Sequence, residues 1–178
     1  MFAHKTSVFA GLLLFIFSGT AVVVASQDSL PGDVLYPVKV NIKEPIVSAI
    51  SFGTDAKLSA EVEKASERLE EAEKLSEVGR LSADTRKEIE VRFEQHIEKM
   101  DTFGKVDPEP MDREKEKKTQ TQEDLEERVV EHVEKLGKIR ETLSDEKKDE
   151  IDQLTYNVLT TVHSKKDKIE KPKRNSDK

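Results

Sequence analysis

The chain of 178 residues has no cysteine, no tryptophan, only seven glycines and 5% aromatic residues. Without cysteine there is no disulfide framework, no thiol nucleophile and no Cys-ligated metal. So few glycines leave little of the loop chemistry on which most active sites rest. Neither a Gly-x-Ser-x-Gly elbow nor a Gly-rich phosphate loop is present. The scarcity of aromatics argues against a large compact core. An excess of positive charge is missing as well. The net charge is −7, and because Lys5 is the only formal charge before Ser26, the remainder carries −8. That balance argues against a nucleic-acid partner, which needs a basic face. What is abundant is charge of both signs, at 38% of residues, in a background of Glu, Lys and Leu. Such a composition belongs to long solvated helices.

One long hydrophobic run exists. It extends from Val8 to Ala25, interrupted by Gly11 and by Ser18-Gly19-Thr20, and comes after His4 and Lys5. A short positive start, an apolar stretch and small residues at its end describe an export signal. Val23 and Ala25 suit the −3 and −1 positions for cleavage before Ser26. The run, at about 18 residues, also reaches the length of a marginal membrane-spanning helix, which favours a retained anchor. Residues 1–25 are therefore a signal peptide or membrane anchor. The rest is expected outside the cytoplasm, at the outer face of the cytoplasmic membrane or secreted.

Residues 26–53 differ in character from the charged stretch beyond them. Leu30-Pro31-Gly32-Asp33 predicts a type II turn, with Pro fixing φ at the first central position and Gly accepting φ > 0 at the second. Val34 to Lys39 is apolar and Pro-interrupted, and a short helix is expected over 38–52 with Pro45 near its start. Thr54 predicts an N-cap for a long helix to about Val78. Leu58, Val62, Ala65, Leu69, Ala72 and Leu75 form its amphipathic seam, and the Glu, Lys and Arg between them, Lys64 and Arg68 included, read as a solvated ion-paired surface. Gly79 suits the C′ position and Ser82 the next N-cap. Ile89, Phe93, Ile97, Met100 and Phe103 line the second helix, so 54–103 reads as an antiparallel hairpin.

Residues 104–120, with Gly104, Pro108, Pro110 and the charged run Arg113–Lys118, predict a linker. Thr121 to Asp124 resembles a capping box. Leu125, Val129, Val133, Leu136 and Leu143 mark a third helix, and Ser144 caps a fourth bearing Ile151, Leu154, Val158 and Val162. Residues 121–164 thus form a second hairpin, and the basic stretch 165–178 is expected to be a disordered tail. The hairpins resemble each other: Glu67-Arg68-Leu69 and Glu127-Arg128-Val129, Glu73-Lys74-Leu75 and Glu134-Lys135-Leu136, Leu81-Ser82 and Leu143-Ser144. Duplication and convergence both account for this. The expected fold class is all-α, two antiparallel hairpins packing as a four-helix arrangement after an N-terminal hydrophobic helix. Dimerisation through exposed seams is the other way to bury them.

Candidate chemistry is sparse. His96 has Arg92, Phe93, Lys99 and Met100 at helical spacing, and His132 has Arg128, Val129, Lys135 and Leu136. Neither finds a metal ligand on its own helix, and the Glu-x-x-His and His-Glu-x-x-His patterns are absent. A metal site joining His96 and His132 across helices stays open beside the plainer reading of partly exposed surface histidines. No Asp-x-Asp-x-Asp-Gly loop supports a specific calcium site. No cofactor is implied.

The run Leu30-Pro31-Gly32-Asp33-Val34-Leu35-Tyr36-Pro37-Val38-Lys39 resembles the opening signature of a bacterial extracytoplasmic domain family of unknown function. Its members start with an export or anchor segment, then carry Leu-Pro-Gly-Asp-x-Leu-Tyr-Pro-x-Lys. Lys43-Glu44 and Arg68-Leu69-Glu70-Glu71 match its next features, and the likeness is good over residues 28–103 and loose beyond. The resemblance implies a bacterial, extracytoplasmic, helical domain, often attached to a membrane, and no catalytic residue. In the residues themselves, the motif reads as a stiff exit from the membrane, or as a recognition site formed by Asp33, Tyr36 and Lys39. The expected function is a non-enzymatic helical protein that binds an unidentified protein partner or senses the envelope, with a small-cation-binding module and a structural spacer as alternatives. Expected contacts are the membrane, through residues 8–25 if they stay uncleaved, and a protein partner.

Overall fold

The computed structural model describes residues 21–103 and 111–170; of 111–115, 117, 118 and 167–170 it describes the backbone alone. The described residues are helical, with no strand among them. They fall into two units, Met1–Ile50 and Ser51–Lys178. The expected apolar segment lies outside the described residues up to position 20. Among the described residues no helix is long and apolar enough to cross a membrane.

In the first unit, residues 21–25 are helical. The Ser26 amide donates to Val22 O at 3.0 Å and the Ser26 hydroxyl to Val23 O at 2.7 Å. The predicted turn comes next. The Asp33 N–H donates to Leu30 O at 2.9 Å, and Gly32 takes φ +90°, a conformation closed to most side chains. Helix α1 (Tyr36–Val38) leads into a π-helical turn (Lys39–Lys43) and then α2 (Glu44–Ile50). The expected single short helix is thus three pieces in one continuous run. Pro45 supplies the reason: it brings no N–H and its ring crowds the preceding turn. The wider π turn just before it carries the bond from the Glu44 N–H to Lys39 O.

The second unit holds four long helices, α3 (Thr54–Glu77), α4 (Ala83–Phe103), α5 (Met111–Glu141) and α6 (Asp145–Glu170). Gly53, at φ +83°, occupies the N-cap of α3, the position the sequence assigns to Thr54. The α3–α4 turn is a Schellman motif. Arg80 N–H reaches Leu75 O at 2.7 Å, Gly79 N–H reaches Ser76 O at 3.0 Å, and Gly79 takes φ +66°. Ser82 caps α4 as predicted: Thr85 N–H points at its Oγ, and Thr85 Oγ1 accepts from the Ser82 N–H at 2.9 Å.

The two hairpins stack in parallel. α3 packs on α4 and α5, and α6 packs on α5 and α4. Cross-hairpin pairs run in the same direction along both rows. Glu63 meets Arg128 and Glu73 meets His132 on one row; Arg86 meets Glu150 and Asp101 meets Lys165 on the other. Equivalent helices therefore lie side by side, as in stacked helical repeats. Leu58, Val62, Leu69 and Leu75 of α3, Ile89, Phe93 and Ile97 of α4, Leu125 and Leu136 of α5 and Ile151, Leu154 and Val158 of α6 are buried.

Two boundaries differ from expectation. The segment expected as linker over 104–120 is helical from Met111, so Thr121 lies inside α5 and not at its start. Residues 111–120 are rich in good helix formers, and propensity carries a helix where the sequence has no apolar pattern to announce it. The expected disordered tail from 165 begins instead in α6, which continues to Glu170. Its first two lysines are held: Lys165 Nζ bonds Asp101 at 2.6 Å and Lys166 Nζ bonds Glu126 at 2.9 Å. Residues 171–178 lie outside the described residues.

Candidate functional site

The residues of the Leu30–Lys39 motif are mostly committed to the fold. The Asp33 carboxylate accepts the Leu30 N–H at 2.9 Å, closing its own turn. The Tyr36 and Lys39 side chains are buried, and Lys39 Nζ lies 3.5 Å from Ser29 O. Asp33, Tyr36 and Lys39 therefore do not present three side chains together to solvent; two of the three lie inside. Val34, by contrast, is almost wholly exposed.

The polar side of α3 departs most from the sequence reading. Glu61, Lys64, Arg68 and Glu71, a solvated surface by that reading, are buried. They recur at i, i+3, i+7 and i+10, one stripe beside the apolar seam, and their charges compensate. Lys64 Nζ lies 2.8 Å from Glu61 Oε1, and Arg68 Nη2 lies 3.0 Å from Glu71 Oε1 and 3.4 Å from Glu67 Oε2. A buried charge survives only with such partners. The spacing of opposite charges along one helical face, Glu61 with Lys64 and Arg68 with Glu71, was the available signal.

Both candidate histidines are buried, not partly exposed. Each meets a different stretch of α3. His96 on α4 places Nδ1 2.7 Å from Glu61 Oε2. Burial alone would raise the Glu61 pKa, but the hydrogen bonds and charges of His96 and Lys64 outweigh it and hold the carboxyl at about 2. His132 on α5 places Nδ1 2.6 Å from Glu73 Oε1 and Nε2 2.7 Å from Ser66 Oγ. The structure does not bring His96 and His132 to one site. Both ring nitrogens of His132 already have protein partners, and among the described residues no group of three or more His, Asp or Glu is placed to hold a metal ion.

The Ser66–His132–Glu73 chain has the donor order of a nucleophile relay. With the proton on Nδ1 facing Glu73, Nε2 accepts the Ser66 hydroxyl. A relay also needs N–H donors aimed at a developing oxyanion. Ser66 sits in the middle of α3, where the surrounding backbone N–H groups are consumed by the helix itself. The arrangement thus has the means to tie α3 to α5, and the helix backbone around Ser66 keeps its N–H groups for its own bonds.

The clearest exposed feature is an apolar groove of about 770 Å³ on the second hairpin. Val129 and Val162 form its floor, and Val130, Tyr156 and Leu159 stand exposed at its walls by 51%, 70% and 41%. Glu126, His163 and Lys166 lie at its edge. The sequence reading missed it, because Val130, Tyr156 and Leu159 fall outside both apolar seams.

No curated protein and no solved structure matches the chain. The model of a domain family of unknown function, DUF5667, matches residues 28–177, which takes in both hairpins, and the chain belongs to that family.

Proposed function

We propose that this protein is a non-enzymatic interaction module that works outside the cytoplasm and binds a protein partner through the α5–α6 groove. In this reading the hydrophobic N-terminal segment is a retained anchor in a bacterial cytoplasmic membrane, and the signature from Leu30 to Lys39 is a rigid mount. The helical conformation of residues 21–25 and the full burial of Ser26 support retention, since cleavage before Ser26 needs an accessible chain. The closed turn at Leu30–Asp33, the buried Tyr36 and the buried Lys39 support the mount.

The observation that carries the binding reading is the groove. Among the described residues of α5 and α6, the exposed large apolar side chains are these three, Val130, Tyr156 and Leu159, and they stand together on one groove. Scattered exposed apolar residues need no explanation, but a contiguous concave patch with a polar rim does.

A photoreactive phenylalanine analogue at position 156 tests this in the native envelope, with the same group at the exposed Glu146 position as control. The expected result is a discrete adduct from position 156 alone, abolished by Leu159→Ser. Equal adducts from both positions, or none from position 156, would refute it. Alkaline extraction tests the anchor: release of the chain from membranes refutes retention.

A further inference from the structure

We infer that the occupant of the α5–α6 groove is a single amphipathic helix with basic residues flanking its apolar face. This rests on the groove being the binding surface, as proposed above, and adds the chemistry of the partner.

Shape comes first. The groove runs between two antiparallel helices, α5 from Glu126 to Val130 and α6 from Tyr156 to Lys166, with an apolar floor. That form accepts one further helix laying down an i, i+3, i+4 stripe. The same chain already shows the mode, since each of its four long helices buries such a stripe against two neighbours.

Size comes next. The apolar surface comes from three side chains, Val130, Tyr156 and Leu159, where a standard interface engages about 20–30 residues a side. A stable dimer buries about 1,200–2,000 Å² in total. The patch is too small to hold a second copy of the chain by itself and large enough for one helix.

Charge decides the sign of the flanks. Val130 has Glu123, Glu126, Glu127 and Glu134 at i−7, i−4, i−3 and i+4, all on its side of α5. Glu123, Glu127 and Glu134 are exposed. Across the groove, Asp149 and Asp152 lie at i−7 and i−4 from Tyr156, with Asp152 bonded to Arg140. Lys166 is bonded to Glu126. The rim is acidic. A second copy would set one Glu-rich rim against another, a repulsion that basic flanks turn into attraction.

The test is titration of the full chain with two labelled model helices that share a leucine face, one flanked by lysine and one by glutamate, read by fluorescence anisotropy. The lysine-flanked helix is expected to bind at least about tenfold more tightly. Tyr156→Ser with Leu159→Ser should abolish binding while the chain keeps a cooperative melt and its helical circular dichroism, because both side chains are partly exposed. Glu127→Lys with Glu134→Lys should reverse the preference. Equal affinity for the two helices, lost in the Tyr156/Leu159 variant, overturns the basic flank and leaves the groove as the binding surface. Binding that is absent, or indifferent to the Tyr156/Leu159 variant, overturns both. Self-association in sedimentation velocity that the same variant abolishes assigns the groove to a second copy and overturns the inference.

Discussion

Glu61→Gln separates a buried ion tie from a passive buried carboxyl. Glu61 is 1% exposed, within hydrogen-bond distance of His96 Nδ1 and Lys64 Nζ. Its pKa falls from an ordinary 4.5 to about 2 in the folded chain. The folded state therefore favours the ionised form, and the unfolded chain takes up the proton first. The resulting stabilisation is fully present above pH 4.5, declines as the pH falls from there towards 2, and is gone below. At 1.36 kcal/mol per pH unit, that interval corresponds to about 3 kcal/mol. The glutamine amide still accepts the His96 N–H but brings no charge, and it removes the anion beside the buried Lys64 ammonium. Urea unfolding followed by far-ultraviolet circular dichroism, at a series of pH values, gives the difference between parent and variant. Other carboxylates are common to both and cancel. The difference should be about 3 kcal/mol at neutral pH and shrink towards zero near pH 2. A difference that stays constant with pH, or grows as the pH falls, would refute the reasoning.

Three further substitutions test the turn and the interhelical tie. Gly79→Ala places a side chain at φ +66° with its Cβ 2.6 Å from Lys147 Nζ, the flexible end of a lysine. Backbone strain is the larger part, about 1 kcal/mol, and should lower the melting temperature by about 2–4 °C; an unchanged melt would refute the left-handed C′ residue. For the tie, a double-mutant cycle between Ser66→Ala and His132→Gln should give a coupling of about 1 kcal/mol, and zero coupling would refute the bond. Fluorophosphonate labelling of Ser66 should not exceed that of Ser66→Ala, since the helix offers no oxyanion donors; clear labelling would refute that argument.

Features governed by neighbours in the chain are legible in the sequence. The Leu30–Asp33 turn, the left-handed Gly79, the Ser82 cap and the apolar seams of all four long helices depend on local sterics and helical periodicity. The helix from Met111 is not, because Gly104, Pro108 and Pro110 draw the expected break too far along a segment with no apolar pattern. The groove escapes for a related reason. Val130, Tyr156 and Leu159 lie on α5 and α6 off the seams, and only the placing of the two helices makes them neighbours.

The sequence by itself determined an all-helical chain of two hairpins, without thiol chemistry and with too little glycine for phosphate or nucleophile loops. Those properties come from which residues are present and how they repeat. Only the tertiary structure decided that the hairpins stack with equivalent helices side by side, and that the charged stripe Glu61–Lys64–Arg68–Glu71 lies inside. Periodicity says which residues share a face; it does not say what covers that face. The same limit applies to His96 and His132, whose partners Glu61 and Glu73 are distant in sequence and meet them only when α4 and α5 close on α3.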